Sequence, residues 1–418
     1  MHVYLSGIGG AGLYPLALLG RDSGIKVSGS DVAASGNTAH LQDLGVAVVH
    51  EQSRDAIRKV HQQQPIDWLI VSSAISPDSP EIVFAREANI PYGKRHDLIN
   101  YICQERGLGM LAVAGTHGKT STTSLLIWVF AQLGIPASHI VGGNLDFAPA
   151  GRYQAGSHYL LYEADEYDRN FLHFTPVHSL ITSLDFDHPD TYPTQDDYDR
   201  AFTDFAHQSG GVTTWAAIAE RLLLDIENLN VLEQIAPDIT LPGTHNRANA
   251  SLVLAAASRL TLHDAAAITA AINSFPGVAR RLERITTNVY SDYAHHPAEI
   301  AATIQSAREL SERVVVVYQP HQNLRQHRIR DEYGGVFSSA ERVYWLPTFL
   351  SREDPELPVL EPAELYGDVK RDVEVVEAEL DATLAARVRE EAESGAMVVA
   401  MGAGSIDAWL REYFTQNR

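Results

Sequence analysis

The chain has 418 residues, 45% of them hydrophobic and 20% charged. That is the make-up of a globular protein with core enough for roughly two to four domains. A formal charge of −21 excludes a nonspecific grip on nucleic acid or on an anionic membrane surface, so an anionic substrate must be met by local cations. The single cysteine, Cys103, excludes an internal disulfide and fits a reducing, cytoplasmic setting. No signal peptide is expected, and no apolar run approaches the ~18 residues of a membrane span.

Residues 1–105 open with a strand, Val3-Tyr4-Leu5, then Gly7-Ile8-Gly9-Gly10-Ala11-Gly12, then a helical stretch from Leu13 to Leu19. A second strand, Lys26 to Ser30, ends in Asp31, and Trp68 to Ser73 reads as a later strand. This is the βαβ grammar of a Rossmann-like sheet. The spacing of Gly7, Gly9 and Gly12 seats a diphosphate at a helix N-terminus without saying whose diphosphate it is.

Residues 106–279 carry the sharpest signal. An apolar strand, Met110 to Ala114, runs into Gly115-Thr116-His117-Gly118-Lys119-Thr120 and then a helix, Ser121 to Leu133. Backbone N–H groups of such a turn face phosphate, and the helix N-terminus adds partial positive charge. Lys119 is expected to reach the β/γ-phosphates of ATP, and the Thr120 hydroxyl to bind Mg²⁺. Val113 stands where the strict P-loop has glycine, so this is a variant P-loop. Two acidic clusters follow strands: Glu163-Ala164-Asp165-Glu166 after Tyr159–Tyr162, and Asp185 to Asp190 after Ser179–Thr182. Acids at the carboxyl ends of strands in an open α/β sheet face the ligand crevice and offer Mg²⁺ its oxygens. Helices are expected at Ala248–Leu260 and Ala265–Ile272.

Residues 280–418 repeat the α/β grammar. Strands are expected at Arg313–Tyr318 and Met397–Met401, the first leading into Gln319-Pro320-His321 and the second into Gly402-Ala403-Gly404 and a terminal helix. Between Pro355 and Pro362 a surface loop is expected. Adjacent His295 and His296 point in different directions, which argues against zinc. Lysine is scarce: Lys26, Lys59, Lys94, Lys119 and Lys370 are all there are, with none from Thr120 to Val369.

Taken in order, these pieces resemble the Mur ligase family of peptidoglycan synthesis. The Gly7–Gly12 turn with Ser28-Gly29-Ser30-Asp31 and Ser72-Ser73-Ala74-Ile75 carries the likeness first. The Gly115–Thr120 turn, Glu163–Glu166, Asp187-His188-Pro189-Asp190-Thr191-Tyr192, Gly243-Thr244-His245-Asn246-Arg247-Ala248-Asn249 and Gly277 to Arg281 follow, then Asp292–Pro297 and Gln319–His321. The resemblance implies three α/β domains: a Rossmann-like UDP-sugar domain, a central P-loop-type ATPase domain and a Rossmann-like amino-acid domain. It implies an ATP-dependent amide ligase that joins L-alanine to the lactyl carboxylate of UDP-N-acetylmuramate through an acyl phosphate, with Mg²⁺, in the cytoplasm, as monomer or homodimer.

By the same resemblance Gly7, Gly9, Gly10, Gly12, Asp31, Ser72 and Ser73 would bind the UDP-sugar. Gly115, Thr116, His117, Gly118, Lys119, Thr120, Asn249, Arg281 and Asp292 would bind ATP. Thr120, Glu163 and His188 would hold Mg²⁺, with Lys119, Glu163, His188 and Arg281 catalytic. Tyr293, His295, His321 and Arg325 would line the amino-acid site. Some members hold Mg²⁺ with a carbamylated lysine, a device the lysine-free stretch removes. Ser183, Ser291, Gln322 and Ser405 stand where the family carries Asn, Asp, Arg and Asp. The alternative within the family is a recycling ligase that adds a tripeptide to UDP-N-acetylmuramate. A nicotinamide-dependent dehydrogenase, read from Gly7, Gly9, Gly12 and Asp31, leaves the Lys119 turn and both acidic clusters without a use.

Overall fold

Three runs of strands separated by helices give three sheets, each mostly parallel. The computed structural model describes residues 1–73, 75–188, 191–351 and 353–415; Ala74, Pro189 and Asp190 of the motifs above lie outside them. The first sheet holds β1 (His2–Ser6), β2 (Lys26–Ser30), β3 (Ala47–Val49), β4 (Trp68–Val71) and β5 (Tyr92–Lys94) in the order β3-β2-β1-β4-β5. All its pairs are parallel. The second holds β6 (Gly109–Ala114), β7 (Ser138–Ile140), β8 (Gly151–Arg152), β9 (Tyr159–Glu163), β10 (His178–Ile181), β11 (Val212–Trp215) and β12 (Leu229–Leu232). Their order is β12-β11-β10-β6-β9-β7-β8, with only β8 antiparallel. The third holds β13 (Glu283–Thr286), β14 (Val289–Asp292), β15 (Val314–Tyr318), β16 (Arg342–Trp345), β17 (Glu374–Glu377) and β18 (Met397–Met401), ordered β13-β14-β18-β15-β16-β17, with β13 antiparallel.

In each sheet the chain turns outward in both directions from an inner strand. Loops that leave neighbouring strands therefore meet at one carboxyl edge. The turn after β1 meets the one after β4, the turn after β6 meets those after β9 and β10, and the turn after β14 meets those after β15 and β18.

The helix Lys119–Gln132 begins at Gly118, whose φ of 81° suits a residue without Cβ. The helix Tyr14–Asp22 carries Pro15 in its first turn, and Pro297–Leu310 starts on a proline. The strands foreseen from apolar runs are present. The edge strands β5, β8 and β12 carry no such run, and the apolar run of β3 is only Val46 to Val49. β11 was missed because buried threonines replace aliphatics there; Thr214 Oγ1 donates to the Ile181 carbonyl at 3.0 Å. The Pro355–Pro362 loop ends in a short helix, Pro362–Leu365.

The chain divides into two compact units, residues 1–235 with 249–275, and residues 236–248 with 276–418. In the first, one continuous core runs from Leu16, Ile99 and Ile102 to Met110, Leu160, Phe171 and Phe202, so the first two sheets share it. In the second, the two faces of the third sheet bury Val314, Val316 and Trp345 on one side and Val315, Val317 and Trp409 on the other. Among the described residues no helix is long and apolar enough to cross a membrane.

The first-unit core depends on one close approach. A Cβ on Gly151 of β8 would fall on the Pro15 carbonyl of the first helix. Gly151→Ala should lower unfolding free energy by about 1–3 kcal/mol, the usual cost of overpacking, read as a drop in melting temperature. An unchanged melting temperature would show that β8 yields freely.

Candidate active site

The phosphate turn is built at the end of β6. Gly115 has φ 137°, and a Cβ there would strike the backbone nitrogen of Ser183 at 2.9 Å. Thr116 Oγ1 donates to the Asp185 carbonyl at 2.6 Å, and the His117 N–H donates to Ser183 Oγ at 2.8 Å. Thr182 Oγ1 donates to the His117 carbonyl at 2.6 Å. The turn is thus clamped to the loop after β10, with the Ser183 hydroxyl as one of the clamps. Asn249 lies against Gly118: a Cβ on that glycine would sit 2.7 Å from Asn249 Nδ2.

Lys119 folds back over this turn. Its Nζ donates to the Gly115 carbonyl at 2.6 Å and the Thr116 carbonyl at 3.1 Å, and pairs with Glu166 at 2.8 Å. The Glu166 side chain is fully buried, and the Lys119 side chain is 15% exposed. His188 Nε2 lies 3.5 Å from the same carboxylate. The titrations agree with one shared ion cluster. Burial opposes the charged form of all three groups, but mutual attraction outweighs it. The Glu166 carboxyl is held below its usual value by Lys119, and both Lys119 and His188 are raised, the imidazole with help from Asp187. The segment that carries Glu166 is bent by left-handed Asp168 and Arg169, with φ 54° and 53°. His188 is left-handed too, with φ 56°.

A second carboxylate, Glu163 at the end of β9, accepts from Thr120 Oγ1 at 2.7 Å and from the Gly142 N–H at 2.7 Å. Thr120 and Glu163 thus bring hard oxygen donors together at the head of the helix, the donor chemistry that suits Mg²⁺. Among the described residues no three His, Cys, Asp or Glu side chains converge as a ready-made cage.

In the first sheet the glycine turn is largely self-satisfied. The Gly7 and Ile8 N–H groups donate to the Ser30 carbonyl at 2.8 and 2.9 Å, Gly9 N–H to Asp31 Oδ2 at 2.9 Å, and Gly10 N–H to the Gly7 carbonyl at 3.1 Å. Asp31 therefore fixes the turn. A Cβ on Gly7 would lie 3.2 Å from Ser72 Cβ, so the two loops touch. Arg95 stands over the far end of the turn, its Nη1 3.0 Å from where a Gly12 Cβ would be, and its Nη2 pairs with Asp165 at 3.2 Å. Lys94 pairs with Asp168 at 3.1 Å. The basic pair Lys94-Arg95 thus ties the glycine turn to the bent segment that bears Glu166.

In the second unit, Asp292 is buried, and burial raises its pKa. Its oxygens accept from the Leu282 and Ala294 N–H groups, both at 2.7 Å, and from Thr303 Oγ1 at 3.2 Å. It holds the turn that carries Arg281 and does not project from it. The Tyr293 ring has the Arg280 and Arg281 guanidinium carbons 4.6 and 5.3 Å from its centre. His295, His321 and Arg325 gather beside it. The His295 and His321 rings are 5.9 Å apart, and His321 stacks on Phe349 at 5.7 Å. Arg325 is near enough to lower the pKa of both histidines, after the larger effect of burial. Gln322 takes a left-handed backbone, φ 63°. Ser291 Oγ donates to Asp407 at 2.6 Å, and Gln319 Nε2 to Ser405 Oγ at 3.1 Å. Two of the departing positions are thus built into hydrogen bonds that brace β14 and β15.

Sequence reasoning missed Glu166 and Arg95. Glu166 belongs to a cluster of three acids in four residues, and nothing in that run says which one turns inward. Arg95 follows a three-residue edge strand with no periodicity of its own, and only its neighbour Lys94 hints at a cationic spot.

Two family models match this chain, one described as Mur ligase family, catalytic domain, over residues 2–106, and one as Mur ligase, glutamate ligase domain, over residues 280–404. The UDP-N-acetylmuramate–L-alanine ligase of Methylobacillus flagellatus is 31% identical over 97% of this chain and 94% of its own length. The one of Nitrosomonas eutropha is 30% identical over 97% and 95%. Among solved structures, the UDP-N-acetylmuramate–alanine ligase of Thermotoga maritima superposes with a TM-score of 0.76 at 25% identity, covering 100% of this chain and 99% of that one. A murein peptide ligase of Psychrobacter arcticus gives 0.66 at 22% identity, covering 99% and 98%, a likeness of fold. With a relative at this identity matched almost end to end, the chain belongs to the Mur ligase family.

Proposed function

We propose that this ATP-dependent ligase joins L-alanine to the lactyl carboxylate of UDP-N-acetylmuramate, the reaction for which its 30–31% identical relatives are named. The observation that carries the reading is the ion cluster at the phosphate turn. Lys119, the only lysine between Lys94 and Lys370, is kept charged and aimed along the turn by the buried Glu166 carboxylate, which it shares with His188.

A carboxylate does not condense with an amine unless it is activated. ATP phosphorylates it, the amine attacks the acyl phosphate, and phosphate leaves. The protein's part is to position the reactants and neutralise charge. The diphosphate of the UDP-sugar would lie by Ala11, Gly12 and Arg95, since the amides of Gly7 to Gly10 are already taken. Gly115 to Lys119 would cradle the ATP phosphates, with Lys119 exchanging the carbonyls of its own turn for phosphate oxygens. Asn249 would follow the nucleotide past Gly118. Thr120 and Glu163 would hold Mg²⁺, and His188 a second, and the bound metal supplies charge neutralisation at the phosphates. Arg281, steadied by Asp292 and Tyr293, would meet phosphate charge. Arg325 would take the carboxylate of the amino acid, with His295 and His321 beside it. The test is phosphate release that requires ATP, UDP-N-acetylmuramate and L-alanine together. A tripeptide used better than L-alanine would assign the chain to the recycling reaction.

Lys119→Ala should lower turnover by about 10²–10³-fold. It should also lower stability by about 3–5 kcal/mol, because it strands a buried carboxylate. Lys119→Ala combined with Glu166→Gln should recover most of the stability and none of the turnover. Melting temperature and phosphate release read the two effects separately, and a double variant with restored turnover would refute the role of Lys119.

Arg325→Ala should raise KM for L-alanine at least about tenfold, about 1.4 kcal/mol. Gln322→Arg should lower that KM with little change in kcat, the pattern of uniform binding. Steady-state kinetics check both.

With no lysine from Thr120 to Val369, added bicarbonate should not stimulate activity at mildly acidic pH. A bicarbonate rescue would require carbamylation elsewhere.

A further inference from the structure

An amino acid arrives with its α-amine protonated, and an ammonium group has no electron pair with which to attack an acyl phosphate. Some group must take that proton. In the second unit, His295 Nδ1 lies 3.0 Å from the Tyr293 carbonyl oxygen and 3.3 Å from the Glu299 carboxylate. Both neighbours are acceptors, so Nδ1 bears the hydrogen and Nε2 keeps the lone pair. Glu299 lies in the first turn of Pro297–Leu310 and also accepts from the His295 backbone N–H at 3.3 Å. The ring is framed by a chain of hydrogen bonds. Tyr318 Oη lies 3.4 Å from the His295 carbonyl and donates to Tyr333 Oη at 2.8 Å. Tyr333 Oη donates to Gln326 Oε1 at 2.7 Å, and Gln326 Nε2 donates to the His321 carbonyl at 3.1 Å. This frame sets His295 against His321 and Arg325. It leaves the imidazole beside the Glu299 carboxylate, with the Arg325 cation close enough to act on it.

We propose that the Glu299–His295 pair is the base for the incoming amino acid, Nε2 taking a proton from its α-ammonium while Glu299 steadies the imidazolium that forms. The proposal rests on the reading of Tyr293, His295, His321 and Arg325 as the amino-acid site. The step balances. One ammonium proton passes to Nε2 and frees the nitrogen pair. That pair forms the C–N bond at the acyl carbon, the C–O bond to phosphate breaks, and a second nitrogen proton leaves with the phosphate. The arrangement is the carboxylate–imidazole logic of general-base catalysis, with the carboxylate orienting the ring and supporting its charge. Burial, with Arg325 and His321 adding to it and Glu299 opposing, pushes the free His295 down to about 4, so the ring is neutral when the substrate arrives and takes the proton only as Glu299 supports the imidazolium.

Hydroxylamine separates this role from others, because its nitrogen is already unprotonated at neutral pH and traps an acyl phosphate without a base. His295→Gln should lower kcat for L-alanine by about 10²-fold or more, with its KM changed by less than about threefold. Hydroxamate formation from UDP-N-acetylmuramate, ATP and hydroxylamine should fall by less than about threefold. Glu299→Gln should show the same split at smaller size, about tenfold in kcat. Parallel loss of both reactions in both variants would make the pair structural and overturn the proposal, as would a loss confined to the KM for L-alanine. A wild-type enzyme that forms no hydroxamate would instead overturn the proposed function.

Discussion

A buried ammonium group needs a carboxylate, and Glu166 supplies it to Lys119. The pair sits beneath the phosphate turn, where desolvation would otherwise strip Lys119 of its proton. Much of the first unit serves this contact. The bent segment with left-handed Asp168 and Arg169 turns Glu166 inward, and Tyr192 Oη holds its carbonyl at 2.5 Å. Lys94 and Arg95 pin the acids on either side of it. His188, on the neighbouring loop, closes the cluster. The glycine turn of the first sheet is therefore linked through charged side chains to the turn of the second.

The same economy appears in how acids are used. Asp31, Asp292 and Glu353 all accept from backbone amides, Glu353 from those of Asn323, Leu324 and Ser351. Glu81, buried on the helix Pro80–Glu87, accepts from the Tyr4 and Ser6 hydroxyls of β1. In each case the donors offset the cost of taking the carboxylate out of water.

The fold was legible where burial is continuous. Met110–Ala114 and Val314–Tyr318 are runs of apolar residues, buried on both faces of a parallel sheet. It was not legible at β11, where Thr214 is buried against the Ile181 carbonyl and Thr213 against the His178 ring. The site was legible where chemistry demands a rare spacing, as from Gly115 to Thr120. It was not legible where a tertiary turn decides which way a common residue points. Glu163, Asp165 and Glu166 are alike in sequence, yet one meets Thr120, one Arg95 and one Lys119. Asp31 falls at the spacing of a ribose ligand, and it also holds a turn through the Gly9 amide. Gln322 looked like a simple loss of charge, and its left-handed backbone adds a steric condition that no spacing rule carries.

The shelter of Lys119 also decides which amines of this protein react with acylating reagents. An ammonium held by a carboxylate keeps its proton and is a poor nucleophile. Lys26, Lys59, Lys94 and Lys370 are all exposed, so they are modified first. Digestion at lysine leaves the whole stretch from Thr120 to Lys370 as one fragment. A missed cleavage joining that fragment to its upstream neighbour therefore marks one event, the acylation of Lys119 after Glu166 has let it go.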